Sequence, residues 1–256
     1  MTGLDRAAPH AQPPLTYRGV TVPYVVAWSA EAEADVASED LILRTDVVSG
    51  RSRLYYRDER AADRDHHGVL WHRVAWSPGQ GVPQFAEIHT LRQRTAMARA
   101  LCQVCGRPAQ VWMVSLGLWQ EHVEEHGLGA PYTTHDPAVC RACAVSAARS
   151  CPHLSGVGFV FLAPRSWANT AVRGQVADPD TGAFSAPRVL ALPGTMPPPD
   201  PAIQPLILAK SLASTLFDVR VHQDLREATG LGYRRDRPAP AARPARHAPR
   251  RSTKRR

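Results

Sequence analysis

Apolar positions alternate first. In "LTYRGVTVPYVVAWSAE", Val20, Val22, Tyr24 and Val26 recur with period two, which predicts a strand, and Pro23 places it at an edge or a bulge. "EDLILRTD" and "SRLYYRDE" read as two short strands around the turn "VVSGR", and "HHGVLWHRVAWSPGQG" as another strand running into a turn. Over residues 84–101 the spacing becomes helical: Phe85, Ile88, Leu91, Thr95, Met97 and Leu101 place apolar groups at roughly helical intervals, and Arg92, Arg94 and Arg99 face elsewhere. "GVGFVFLAP" predicts a buried strand, and "TAVRGQVADPDTGAFSAPRVLAL" a β-hairpin around "DPDTG". "TMPPPDPAIQP" is a rigid connector, because proline neither continues a helix nor donates to a ladder. "QPLILAKSLASTLF" predicts a last helix.

These elements imply an α+β protein of short antiparallel β regions with a few helices. Residues 1–14 are polar and Pro-rich and are expected to be disordered. Residues 15–232 are expected to form one globular region: a β-rich part with a helix (15–100), a cysteine-bearing module (101–165), and a hairpin and helix (166–232). Residues 233–256 are Pro, Ala and Arg with no apolar face, and read as a disordered basic tail.

Charge changes the picture less than its total suggests. The net charge of +8 comes from ten Lys or Arg between Arg234 and Arg256, against the single acid Asp236. Setting these aside from 31 basic and 23 acidic residues leaves 21 against 22 through position 233, a neutral body. A polyanion would therefore meet the tail, or a local patch such as Arg92, Arg94 and Arg99, rather than the whole fold. The N-terminus has no apolar leader and no stretch reaches the roughly 18 apolar residues of a membrane span. The expected location is the cytoplasm, where thiols stay reduced and paired cysteines more often bind metal than form disulfides.

The cysteines carry the chemistry. Cys102 and Cys105 form one C-x-x-C pair and Cys140 and Cys143 a second, separated by 34 residues. Four soft thiolates are the tetrahedral complement zinc prefers. Gly106 suits a knuckle whose chain reverses at positive φ, and "RACAVSAARS" would place the second pair in the first turn of a helix, at the positive end of its dipole. A knuckle followed by a helix-borne pair predicts a structural zinc module of treble-clef-like or zinc-ribbon-like form, with Cys102, Cys105, Cys140 and Cys143 as ligands. Cys151 lies about 12 Å along such a helix from Cys143, too far to share the ion, and is expected to be a buried apolar residue.

Rival sites are less well supplied. "HVEEH", His122 to His126, matches H-x-x-E-H, but Gly127 and Gly129 follow at once, so it reads as a charged turn of a short helix. Pairing His122 and His126 with Cys102 and Cys105 would orphan the second cysteine pair. Asp63, Asp65, His66, His67, His72 and His89 in and beyond "DRDHHGVLWH" read as a polar loop entering a strand. The order C-x-x-C, "THDPAVCRAC", helix also resembles the HNH nuclease family. On that alternative His135 would be the base and Asp136 a metal ligand, although "AVSAARSCPHL" offers no Asn.

Taken together, "LCQVCGRPA", "TTHDPAVCRACA" and "SCPHL", preceded by "GVLW", "SPGQG" and "LRQRTAMARALC", resemble a family of actinobacterial proteins without an established activity, over about residues 17–165. The resemblance implies an intracellular zinc-site protein and transfers no catalytic residue; it implies a packing role, or a hydrogen bond toward a metal-bound sulfur, for His135. No phosphate loop, nucleophile elbow or dinucleotide fingerprint occurs. The function expected is non-enzymatic binding of a protein or nucleic acid, with the tail contacting phosphates.

Overall fold

The computed structural model describes residues 14–32, 40–150, 156, 158–195 and 198–223. The tail from 233 onward, Cys151 and nearly all of the N-terminal segment lie outside the described residues. The chain begins with β1 (Thr16–Tyr17), β2 (Val20–Thr21), β3 (Val26–Trp28) and the single turn α1 (Ser29–Ala32). There follow β4 (Leu41–Thr45), β5 (Ser52–Tyr56), β6 (Leu70–Trp71), β7 (Pro83–Ile88) and α2 (Thr90–Arg99). The cysteine region holds β8 (Trp112–Ser115), α3 (Leu116–His126), β9 (Tyr132–Thr134) and α4 (Arg141–Ser150). The last strands are β10 (Phe159–Ala163), β11 (Ser166–Val176), β12 (Arg188–Ala191), β13 (Ile207–Phe217) and β14 (Arg220–His222). The class is α+β, mostly strands with few helices.

The long strand β13 organises the molecule, and it corrects the helix expected there. On one side it pairs antiparallel with β11, which in turn pairs with β12; on the other it takes β6 in parallel at Leu208–Ala209 and β9 antiparallel at Ser214–Leu216. Its residues are buried on both faces except Lys210 and the half-buried Thr215 and Phe217. A strand covered on both sides reads as an unbroken apolar run, and over that length its pattern is not distinct from that of a buried helix. Partners distant in sequence decided between them. A second sheet, β14–β10–β8, lies beside the cysteines, and β4–β5 and β3–β7 form separate two-stranded ribbons.

β13 also joins the core together. Leu216 packs with Cys102, Cys105, Trp112, Val114, Trp119 and Phe161; Ile207, Ala209 and Leu212 pack with Trp71, Met97 and Val172; Leu208 packs with Leu54, Tyr56 and Leu70. The hydrophobic cluster around the cysteines is thus continuous with the main sheet.

The helix expected over 84–101 is shortened by a strand at its front. His89 stops the strand and caps the helix, its Nδ1 accepting the Arg92 N–H at 3.3 Å, and Ala100 ends it in the left-handed region at φ 50°. The arginine face is also corrected. Arg92 is 2% exposed and forms a bidentate pair with Glu31 at 2.5 and 2.6 Å, adding a bond to the Val26 carbonyl at 2.7 Å. Arg94 lies half-buried 4.3 Å from the centre of the Trp71 ring, so Arg92, Arg94 and Arg99 form no common patch.

Candidate metal centre

The first pair sits at the tip of a tight hairpin. Leu101 bridges Pro108, the Cys102 N–H donates to the Arg107 carbonyl at 2.6 Å, and the Gly106 N–H donates back to the Cys102 carbonyl at 2.9 Å. Gly106 turns the chain at φ +67°, a conformation that L side chains rarely adopt. The reversal aims N–H groups inward: that of Val104 lies 3.4 Å from the Cys102 sulfur, and that of Cys105 also bonds it.

The second pair is carried in by two backbone contacts. Val139 N–H donates to the Val111 carbonyl at 2.7 Å and Gln103 N–H to the Ala138 carbonyl at 2.9 Å, which lays residues 138–140 beside the knuckle. Cys140 directly precedes α4 and Cys143 lies in its first turn, where the helix leaves N–H groups unpaired. The Cys143 N–H bonds the Cys140 sulfur, and the Cys140 N–H bonds the Cys102 sulfur.

The result is a compact set of four sulfurs. All four Sγ atoms lie within 4.8 Å of one another, and Cys105 Sγ is 3.7 Å from Cys140 Sγ. A metal with four sulfur bonds of about 2.3 Å makes a tetrahedron with edges of about 3.8 Å. The spacing therefore fits a metal ion at the centre and is far longer than a disulfide bond of about 2.05 Å. Cys102 and Cys105 are buried, Cys140 and Cys143 half-buried.

Electrostatics show why a cation suits this set. Burial pushes the Cys102 thiol up to about 11, although backbone N–H groups pull against it. Cys143 is pushed up by burial and then by the neighbouring Cys102 and Cys140. Cys140 goes down: burial opposes its ionisation, but the Cys143 N–H and the surrounding thiols stabilise its thiolate. Thiolates this close cannot all ionise together without a positive charge between them.

The structure brings the four cysteines together and leaves the rival residues dispersed. Among the described residues they are the one group of three or more metal-ligating side chains within this spacing, so neither His135 and Asp136 nor "HVEEH" gains a third ligand. His135 and Asp136 are half-buried; the His135 carbonyl accepts from Gln93 Nε2 at 2.6 Å, and its ring makes no hydrogen bond to the four sulfurs among the described residues. His122 lies on α3 with its ring 5.5 Å from Trp119 and 5.0 Å from Tyr132, packing the helix against β9. Asp63 is held by Arg73 at 2.6 and 2.9 Å, and Asp65 accepts from Trp71 Nε1 at 3.0 Å and from the His67 and Val69 N–H groups.

Sequence reasoning missed a buried polar group linking α1, α2 and β13. It comprises Glu31, His89, Arg92 and Gln93, all buried. Glu31 also accepts the N–H groups of Trp28 at 2.9 Å and Ser77 at 3.1 Å, and His89 Nε2 pairs with the Ala75 carbonyl at 2.8 Å. The local signal was slight: "EIHTLRQR" shows a cap, not the partner 61 residues away. Among the described residues no helix is long and apolar enough to cross a membrane. Comparison with protein-family models, with curated proteins and with solved structures gives no match.

Proposed function

We propose that this chain is a non-enzymatic intracellular binding protein whose Cys102, Cys105, Cys140 and Cys143 hold one structural zinc ion in a treble-clef-like module. The observation that carries this is the sulfur cluster, with its 3.7 Å contact close to a tetrahedral edge. All-thiolate donors favour zinc among the divalent ions available to such a site. Four protein ligands leave no open position for water or substrate, which is the arrangement of a structural ion rather than a catalytic one. The knuckle at 102–106 and the pair at the head of α4 support the treble-clef reading. A thiolate metal site of this kind supports a cytoplasmic location, where cysteines stay reduced. Its partner is a protein or a nucleic acid, with the basic tail contacting phosphates.

The experiment is metal analysis of the full chain beside its Cys140→Ser variant. One zinc per chain is expected, lost in the variant together with native tryptophan fluorescence, because Trp112 and Trp119 pack in the same cluster as the ligands. A metal-free protein that is fully folded would overturn the reading, and so would iron with sulfide and a visible absorbance.

A further inference from the structure

The β4–β5 ribbon presents a surface that neither the core nor the metal centre explains. Its inner face packs Leu41, Leu43, Leu54 and Tyr56 against Leu70, Leu206 and Leu208. On the other face the register sets Arg44 directly opposite Arg53. Like charges so placed destabilise a ribbon. Both guanidiniums gather over the Tyr55 ring, 5.7 and 5.2 Å from its centre. Arg51 and Arg57 are exposed nearby.

Four of the acids around the ribbon are already engaged by other groups. Glu59 is held by Arg64 at 2.8 Å, and Asp58 and Asp63 by Arg73 at 2.7 and 2.6 Å. Asp46 turns its Oδ1 to the N–H groups of Val48 and Ser49 at 3.1 and 2.7 Å. Among the described residues Arg44, Arg51, Arg53 and Arg57 make no ion pair. Residues 41–57 thus hold four arginines against one acid, in a body whose charges through position 233 nearly balance as a whole.

The tip adds an apolar element. Val47 and Val48 are 98% and 95% exposed. The turn under them is ordered, with Asp46 N–H bonded to the Arg51 carbonyl at 2.9 Å, Gly50 N–H to the Asp46 carbonyl at 2.8 Å, and Gly50 at φ +66°.

We propose that this ribbon is the chain's contact with double-stranded DNA. The inference rests on the reading of the chain as a binding protein, and supplies its partner. The major groove of B-form DNA, about 12 Å wide, admits a two-stranded ribbon. Arginines on the outer face reach phosphates, which would relieve the repulsion between Arg44 and Arg53. The two valines at the tip supply an apolar surface for thymine methyls or a base step. The major groove of A-form RNA is deep and narrow, so a ribbon cannot seat in it as it can in B-form DNA.

The test is fluorescence anisotropy of a short labelled DNA duplex with the full chain, across a salt series. The variants are Arg44→Gln with Arg53→Gln; a charge-matched control, Arg165→Gln with Arg220→Gln, beside and on the three-stranded sheet; and Val47→Ser with Val48→Ser. Losing two phosphate contacts lowers the slope of log affinity against log salt by about 1.8 and the affinity at 0.1 M salt by about tenfold or more. The control pair leaves both unchanged, and the valine pair weakens binding severalfold at unchanged slope. The proposal is overturned by absence of salt-dependent binding, by equal losses in the control pair, by equal losses on duplex RNA, or by losses on phosphatidylserine vesicles but not on DNA. Zinc content is measured on every sample. A metal-free chain that still binds DNA through the ribbon refutes the metal reading alone, and a zinc-loaded chain indifferent to the arginine substitutions refutes the ribbon alone.

Discussion

Replacing Gln93 by leucine should loosen the joint between the main sheet and the cysteine module. Gln93 is 0% exposed, and it occupies the gap on the edge of β13 between β6 and β9. There it behaves as a missing strand residue: Oε1 accepts the Leu212 N–H at 2.9 Å and Nε2 donates to the Leu212 carbonyl at 2.8 Å. Nε2 also donates to the His135 carbonyl at 2.6 Å, five residues before Cys140. Leucine has nearly the same volume but offers none of the three bonds, so one N–H and two carbonyls lose their partner. Each buried polar group left unsatisfied costs about 1–3 kcal/mol. The half-buried His135 carbonyl can turn to water, so the total expected is about 3 kcal/mol. Urea unfolding followed by tryptophan fluorescence should show a lower midpoint at unchanged slope. Hydrogen exchange at the Leu212 amide should accelerate with it. A loss below about 1 kcal/mol, or an unchanged Leu212 amide, would refute the idea that this side chain completes the sheet.

Other outcomes follow from the same buried group and from the glycines. His89, its ring pushed down to about 4 by burial and then by the Arg92 charge, is neutral when folded but takes up a proton near pH 6.5 when unfolded. The unfolded state therefore binds more protons between those values, and stability should fall by about 3 kcal/mol as pH drops from 6.5 to 4; in His89→Asn, which keeps a cap, pH-dependent thermal melts should be flatter across that window. Burial raises the Glu31 carboxyl, but hydrogen bonds from Arg92 and Trp28 and the Arg92 charge outweigh it and hold the group below its usual value. The pair thus stabilises above about pH 4.3 and is lost as pH falls through the folded value. Glu31→Gln strands the Arg92 charge and should cost about 3–5 kcal/mol at neutral pH, and a double-mutant cycle with Arg92→Met measures the coupling between the two side chains. A Cβ at Gly174 would lie 2.5 Å from the Leu208 carbonyl oxygen and 2.9 Å from Ala209 Cα, so Gly174→Ala should lose about 1–3 kcal/mol or more. Gly117→Ala in α3, with nothing within 4 Å, should gain about 0.5–1 kcal/mol, and calorimetry compares the two.

The cysteine cluster was legible because its determinants are local. A C-x-x-C turn places both sulfurs on one side of the backbone wherever it occurs, and Gly106 and "RACAVSAARS" show a reversal and a helix start without reference to the rest of the fold. The β4–β5 hairpin was equally readable, since "LILRT" and "SRLYY" flank a turn that Asp46 and Gly50 close by themselves. The α2 boundary was less so: alternation and helical spacing overlap from Gln84 to Ile88, and the stop depends on the His89 ring reaching the Arg92 N–H.

What the chain determined by itself was therefore short-range: paired thiols, turns, hairpins and the contrast between a neutral body and a basic end. Tertiary structure alone decided that residues 207–217 extend as a strand rather than coil as a helix, since burial on both faces removes the periodicity that separates the two. It alone turned Arg92 inward, because a guanidinium tolerates burial only when a carboxylate such as Glu31 meets it from another part of the chain. It also set Arg44 against Arg53, a juxtaposition of charge that exists only once the two strands are in register.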